Sequence, residues 1–218
     1  MSPELWMLIL EASAETLYMV AVSTLLGTAI GLPIGVFLAT SGKGELLAAP
    51  AANRLIGFVV NSTRSIPFII LVVAILPFTR LVAGTSIGTT AAIVPLTVGA
   101  APFIARIVET AIREVDHGLV EASLAMGATP AQVVRKVLLP EALPSLILGL
   151  TLTVVSLIGF SAMVGAVGGG GLGDLGIRYG FQRFMPDVML TVVVILVLLV
   201  QAVQLAGDVL ARRANKRH

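Results

Sequence analysis

The sequence predicts an all-α integral membrane protein with five transmembrane helices, and three observations carry that prediction. The 218-residue chain is 57% hydrophobic and 12% charged, with a mean hydropathy of +1.02, more apolar material than a soluble core of this size can hide. Its apolar residues form five runs, roughly 15–40, 55–79, 86–112, 143–167 and 188–208, each about the 20 residues needed to cross a bilayer. Twelve of the 14 Lys and Arg fall between or beyond these runs. The organisation is one polytopic domain over residues 1–218, with a cytoplasmic segment at about 114–140.

The charges orient the bundle, because positive short loops are retained in the cytoplasm. Lys43 and Arg54, then Arg106, Arg113, Arg135 and Lys136, then Arg212, Arg213, Lys216 and Arg217 fall on one side; the other has Arg80, Arg178 and Arg183. The C-terminus is expected in the cytoplasm and, with five crossings, the N-terminus outside. The first dozen residues carry Glu4 and Glu11 but no Lys or Arg, so they lack the positive region of a cleavable signal peptide, and the first span is expected to stay as an anchor. A net charge of +2 and a pI near 9.4 are explained by this topology, which argues against nucleic-acid binding. With no cysteine, and with His117 and His218 the two histidines, no metal site or redox motif is expected.

The first span holds Gly27, Gly31 and Gly35 at intervals of four, roughly on one helix face. Small residues at that spacing let another helix approach closely, which reads as a packing seam in preference to a direct role in transport. Pro33, between them, is expected to kink the helix. In the second span, Arg64 precedes Pro67 about ten residues from the cytoplasmic end. Either it faces the bundle interior or an aqueous cavity, or residues 54–65 form an interfacial elbow, the span begins near Ile66, and Arg64 is a headgroup anchor. The third span carries Pro95, Gly99 and Pro102. Two prolines and a glycine predict an irregular helix whose freed carbonyls need neighbours or water, which suits the wall of a pathway.

Between spans three and four the sequence writes a joint. Asp116 can cap a short helix through Leu119, Glu121, Ala122 and Met126, ended by Gly127 in a left-handed conformation. Thr129 then reads as the next N-cap, Pro130 as its first helical residue, and Gln132 completes a capping box. The product is a lever at the membrane surface. It reads either as an amphipathic segment that only completes the bundle or as a docking element.

The stretch Gly165–Gly176 matches a dinucleotide-binding pattern twice, but that fingerprint needs a preceding strand and a βαβ unit, and here a membrane span precedes it. A non-helical segment crossing the outer face is expected instead. Ser161 and Met163 end the fourth span just before it. Met163 has the flexible side chain of a gate residue, and ordinary packing is the other reading. Gly42-Lys43 departs from a phosphate loop at Phe37 and Gly44, so ATP hydrolysis is not expected on this chain. The fifth span is smoothly apolar and is expected to face lipid or to pack passively.

Glu121-Ala122-Ser123, Gly127 three residues on, and Val137-x-Leu139-Pro140 after nine more resemble the EAA signature of ABC importer permeases, with Ser123 for the second Ala and Val137 for Ile. The runs Arg64–Leu71, Gly84–Gly88, Ala91–Arg106 and Gly127–Pro130 extend the resemblance over nearly the whole chain, to the permease family of bacterial methionine uptake ABC transporters. The resemblance implies a type I importer permease fold in the inner membrane, translocating D- and L-methionine by alternating access. It implies a second copy of the chain, two ATPase subunits carrying ATP and magnesium, and an extracytoplasmic methionine-binding lipoprotein as partners. Glu121, Ala122, Ser123, Gly127, Ala128 and Thr129 would form or flank the ATPase-coupling surface, with Glu121 capping or pairing locally. Arg64, Pro95, Ser161 and Met163 are the candidates for gate or pathway. Another small amino-acid-like substrate is the alternative cargo. An ion-coupled carrier or channel is the rival class, disfavoured because Glu15, Glu109, Asp187 and Asp208 lie in loops or at span ends.

Overall fold

The computed structural model describes residues 3–215, and its regular structure is helical throughout. Lys216, Arg217 and His218, which entered the charge and metal readings, lie outside those residues. The chain runs α1 (Pro3–Thr40), α2 (Pro50–Ser65), α3 (Phe68–Ala74), α4 (Leu76–Ala83), α5 (Thr89–Arg113), α6 (His117–Ala125), α7 (Pro130–Val133), α8 (Leu139–Gly165), α9 (Gly171–Leu175) and α10 (Pro186–Ala214), with π-helical stretches at Val134–Leu138 and Gly176–Gln182.

Four helical rods are long and apolar enough to cross a membrane: α1, α5, the continuous Pro130–Gly165 rod and α10. The expected second span differs, because α2 and α3 meet at 102°. Pro67 has no N–H to continue the ladder and its ring pushes Ile66 to an extended conformation, φ −80° and ψ 125°. With this bent pair counted as one broken span, the apolar spans among the described residues number five. In the third span, α5 continues as one helix through both Pro95 and Pro102, and both prolines are buried. First-span helix begins at Pro3, well before the apolar run of 15–40.

α5 is the centre of the bundle. Of its most apolar window 67% is buried, against 11% for α10, so α5 is the post around which the others pack and α10 lies at the periphery of the single chain. Leu96 and Ile104 of α5 are fully buried with Met19 of α1, Leu157 of α8 and Val133 of α7 in one core. The glycine seam of α1 faces α5: a Cβ on Gly31 would stand 2.6 Å from the Ala101 carbonyl oxygen and 2.9 Å from Ile104 Cβ, so the two backbones meet at a distance only glycine permits. Gly149 gives Ile107 the same room between α8 and α5.

The two ends of the bundle differ in charge. The residues after α1, the last turn of α5, the joint of α6 and α7, and the first turn of α8 share one end, where Lys43, Arg113, Arg135 and Lys136 lie. At the other end the Gly88 N–H donates to the Gly168 carbonyl at 2.9 Å, closing the turn before α5 against the turn after α8.

The glycine-rich stretch is only briefly non-helical. Ala166–Gly170 is turn, but helix resumes at Gly171 because two residues of α1 supply its cap: Glu15 Oε2 accepts the Gly171 N–H at 2.7 Å and Thr16 Oγ1 accepts the Leu172 N–H at 2.9 Å. At φ +75° and pressed on Thr16, Gly171 has no room for a side chain.

Candidate functional site

The joint at the charged end forms as its residues dictate. Asp116 Oδ1 accepts the Gly118 N–H at 2.6 Å and starts α6; Gly127, at φ +82°, ends it. The Ala128 N–H donates to the Ser123 carbonyl at 3.1 Å across that turn. Thr129 and Gln132 form the reciprocal box, Gln132 Oε1 accepting the Thr129 N–H at 2.8 Å and Thr129 Oγ1 accepting the Gln132 N–H at 3.4 Å. Val115, Val133 and Leu138 are buried in the main core and clamp both arms of the joint to the bundle. The lever is thus rigid at its root and exposed at its tip.

Its six expected coupling residues separate by burial. Glu121, Ala122, Gly127 and Thr129 are exposed and Ala128 is half-buried. Ser123 is buried, its hydroxyl donating to the Leu119 carbonyl at 2.7 Å, so it flanks the exposed face and does not form it. Glu121 makes no hydrogen bond or ion pair with its side chain among the described residues, contrary to the local pairing expected of it. It lines a cleft of about 790 Å³ with Lys43, Glu45, Arg113 and His117, so its carboxylate stands in open, mixed-charge surroundings. Three apolar side chains outside the six expected coupling residues also face outward on this tip: Met126 is 82% exposed, and Leu119 and Leu124 are both exposed. Exposed apolar residues on a clamped, polar-rimmed element are the composition of an interaction surface.

A second constellation forms where α2 breaks from α3. A recess of about 330 Å³ is lined by Arg64, Phe68, Gly99, Phe103, Phe160 and Met163, among others. Phe68 stacks on Phe160 with centroids 4.2 Å apart and planes 10° from parallel, Phe103 meets Phe160 edge-on at 6.4 Å, and the Arg64 guanidinium lies 4.8 Å from the Phe103 centroid. Of the four expected gate or pathway residues, Arg64 and Met163 share this recess. Ser161 and Pro95 do not. Ser161 is buried, its hydroxyl donating to the Ile158 carbonyl at 2.7 Å, and Pro95 is buried beside a hollow of about 10 Å³ with Val72 and Thr79. The break gives residues 54–65 the geometry of the elbow reading while placing Arg64 on a cavity wall, so both halves of that alternative describe part of what is seen. The three phenylalanines were not singled out in the sequence; they lie on three elements, and no spacing joins them.

The acidic residues also need correction. Glu15 and Glu109 lie inside helices, and Glu109 is buried. Its carboxylate pairs with Arg106 at 2.5 Å and Arg113 at 2.9 Å, while Arg106 Nε donates to Asn61 Oδ1 at 3.1 Å. Glu109 is therefore a fixed counter-charge that braces α2 on α5. No group of three or more His, Cys, Asp or Glu that could hold a metal occurs among the described residues.

Comparison with known proteins gives three findings. Residues 31–217 match the family described as binding-protein-dependent transport system inner membrane component. The chain is 56% identical over 210 residues to the probable D-methionine transport system permease protein MetI of Vibrio cholerae, covering 96% of this chain and 93% of that one; it is 52% identical over 217 residues to the corresponding protein of Pasteurella multocida, covering 100% of both. Its fold superposes with a TM-score of 0.97, at 54% identity over 99% of this chain and 100% of the other, on a chain of the MetNI methionine ABC transporter solved in inward-facing conformations. A crystal structure of an amino acid ABC transporter with histidines, at 19% identity and a TM-score of 0.78, shares the fold.

Proposed function

This chain belongs to the binding-protein-dependent transport system inner membrane components, and from that premise we propose that it is the membrane-spanning subunit of an ATP-driven methionine importer of the inner membrane. The observation that carries the proposal is the joint: a helix, Gly127 and a second helix, clamped at Val115 and Val133 and exposed at Met126, in a chain whose near-full-length relatives are D-methionine permeases. Such an element has the shape and surface to receive force from a separate subunit.

In this reading two copies of the chain flank one pathway, two ATPase subunits grip the joints through Glu121, Ala122, Gly127, Ala128 and Thr129, and a methionine-binding lipoprotein delivers D- or L-methionine from outside. ATP and magnesium sit on the partner, and this chain performs no hydrolysis. Closure of the ATPases draws the joints together, and the clamps at Val115 and Val133 pass that movement to α5 and α8, switching the pathway between inward-open and outward-open. Met163 and Arg64 stand on the pathway. Clustering of Lys and Arg at the joint end supports placing that end and the C-terminus in the cytoplasm, with the N-terminus outside.

Uptake of labelled methionine into proteoliposomes containing this chain, its ATPase and the binding protein tests the reading. Accumulation is expected only with ATP in the ATPase-accessible compartment, and collapse of the proton gradient should leave it intact. Binding-protein-stimulated ATP hydrolysis without methionine uptake would move the search to another amino-acid-like substrate. Failure of the chain to associate with any ATPase would overturn the proposal.

A further inference from the structure

Arg64 is a cation without a counter-charge. Its guanidinium makes neither hydrogen bond nor ion pair among the described residues; its one contact is the face of Phe103. Buried Glu109 is already engaged by Arg106 and Arg113. Arg64 is exposed on the recess and lies over Phe103, near the middle of α5, the most buried apolar helix of the bundle. An unpaired guanidinium at that level of an apolar bundle suits an anion.

Apart from Thr63, the rest of the recess is apolar, walled by Phe68, Phe103, Phe160 and Met163. Its floor is the break in the helix. Ile66 donates back to Thr63, and the ladder restarts with Ile70 and Leu71 donating to the Pro67 carbonyl, so no backbone bond reaches the Arg64 or Ser65 carbonyl from α3. A cationic fork and aromatic side chains thus share one small volume, beside the end of α2 where the backbone ladder stops.

We infer that this recess is a transient binding site for a zwitterionic, apolar amino acid in passage. Arg64 takes the carboxylate, for which its planar fork is suited; the last carbonyls of α2 take the ammonium; and Phe68, Phe103 and Phe160 take the side chain, with aromatic faces that also favour a thioether sulfur. At about 330 Å³ the recess is at the small end of ligand sites, the size an amino acid needs. No acidic side chain lines it, so the ammonium is held only by dipoles, which suits release more than storage. The inference rests on the importer reading above.

The test uses the complete transporter in proteoliposomes, a diazirine analogue of methionine, and peptide mapping of the label on this chain. Label is expected on peptides containing Arg64–Phe68 or Phe160–Met163, displaced by methionine but not by 3-methylthiopropylamine, which has the side chain and ammonium without the carboxylate. Arg64→Gln should reduce that label by roughly tenfold or more, the worth of a charge-assisted hydrogen bond, and Arg64→Lys should retain part of it. Co-purification of each variant with the ATPase, and its ATP hydrolysis, separates a lost site from a lost fold. Accumulation of methionine by wild-type vesicles with no label on these peptides, or undiminished label in Arg64→Gln, would overturn the site and leave the importer standing. Absence of both accumulation and label would remove the importer reading and the site with it.

Discussion

Glu15 Oε2 accepts the backbone N–H of Gly171 at 2.7 Å, joining α1 to the start of α9 across 156 positions of chain. A side-chain oxygen that satisfies the first N–H of a helix from another element ties the two together. Glu15→Ala should remove about 1.5 kcal/mol or more of stability, while Glu15→Gln, which keeps an acceptor, should lose less. Thermal unfolding in detergent by intrinsic fluorescence would show the order, and equal loss in both variants would contradict it.

Gly127 holds φ +82°, a conformation that costs a residue with a Cβ about 1 kcal/mol or more. Gly127→Ala should weaken the joint, and Gly127→Asp, which adds charge at the exposed tip, should abolish transport while insertion persists. Co-purification with the ATPase and vesicle uptake together decide this. Normal association and uptake in Gly127→Asp would count against docking here.

The seam between α1 and α5 tolerates no Cβ at Gly31. Gly31→Val should cost about 3 kcal/mol, at the upper end for overpacking a core, and lower the yield of folded protein on size-exclusion chromatography. Gly84, whose surroundings are open, is the control for which Gly→Asn should be far milder.

Glu109 is flanked by two arginines, of which Arg113 is half exposed. Glu109→Leu leaves Arg106 with only neutral partners and should cost about 3 kcal/mol, the low end for breaking a buried pair. Limited proteolysis should then cut α2 faster, since Arg106 also holds Gly57 and Asn61.

Met163 is 45% exposed on the wall of the Arg64 recess. Met163→Ala should raise passive leak of methionine from loaded vesicles and resting ATP hydrolysis, several-fold if the side chain seals the pathway. Unchanged values would return it to ordinary packing.

Helices, spans and the joint were legible in the sequence because each is set by local chemistry. Thr129, Pro130 and Gln132 specify a capping box within four residues, and Gly127 announces its own left-handed turn. What escaped was settled at a distance. The helical start at Gly171 depends on Glu15 and Thr16, which no window around residue 171 contains. Continuity of α5 through Pro95 and Pro102, both buried, reflects its packing at the centre of the bundle, which outweighs the low helix propensity of proline. The break at Pro67 went the other way: α3 and α2 have few neighbours to hold them in line, so proline decides. The aromatic cluster on Arg64 is assembled from three helices and leaves no periodic trace.

The clasp of Glu15 on Gly171 also sets a schedule. At 5–20 residues per second a ribosome needs about 8–30 s to travel from one to the other. During that interval α1 can dock on α5, but the Glu15 carboxylate has nothing to hold. Although made well before α9, α1 is therefore among the last helices to be finished. A chain released early from synthesis would leave with that clasp unlatched.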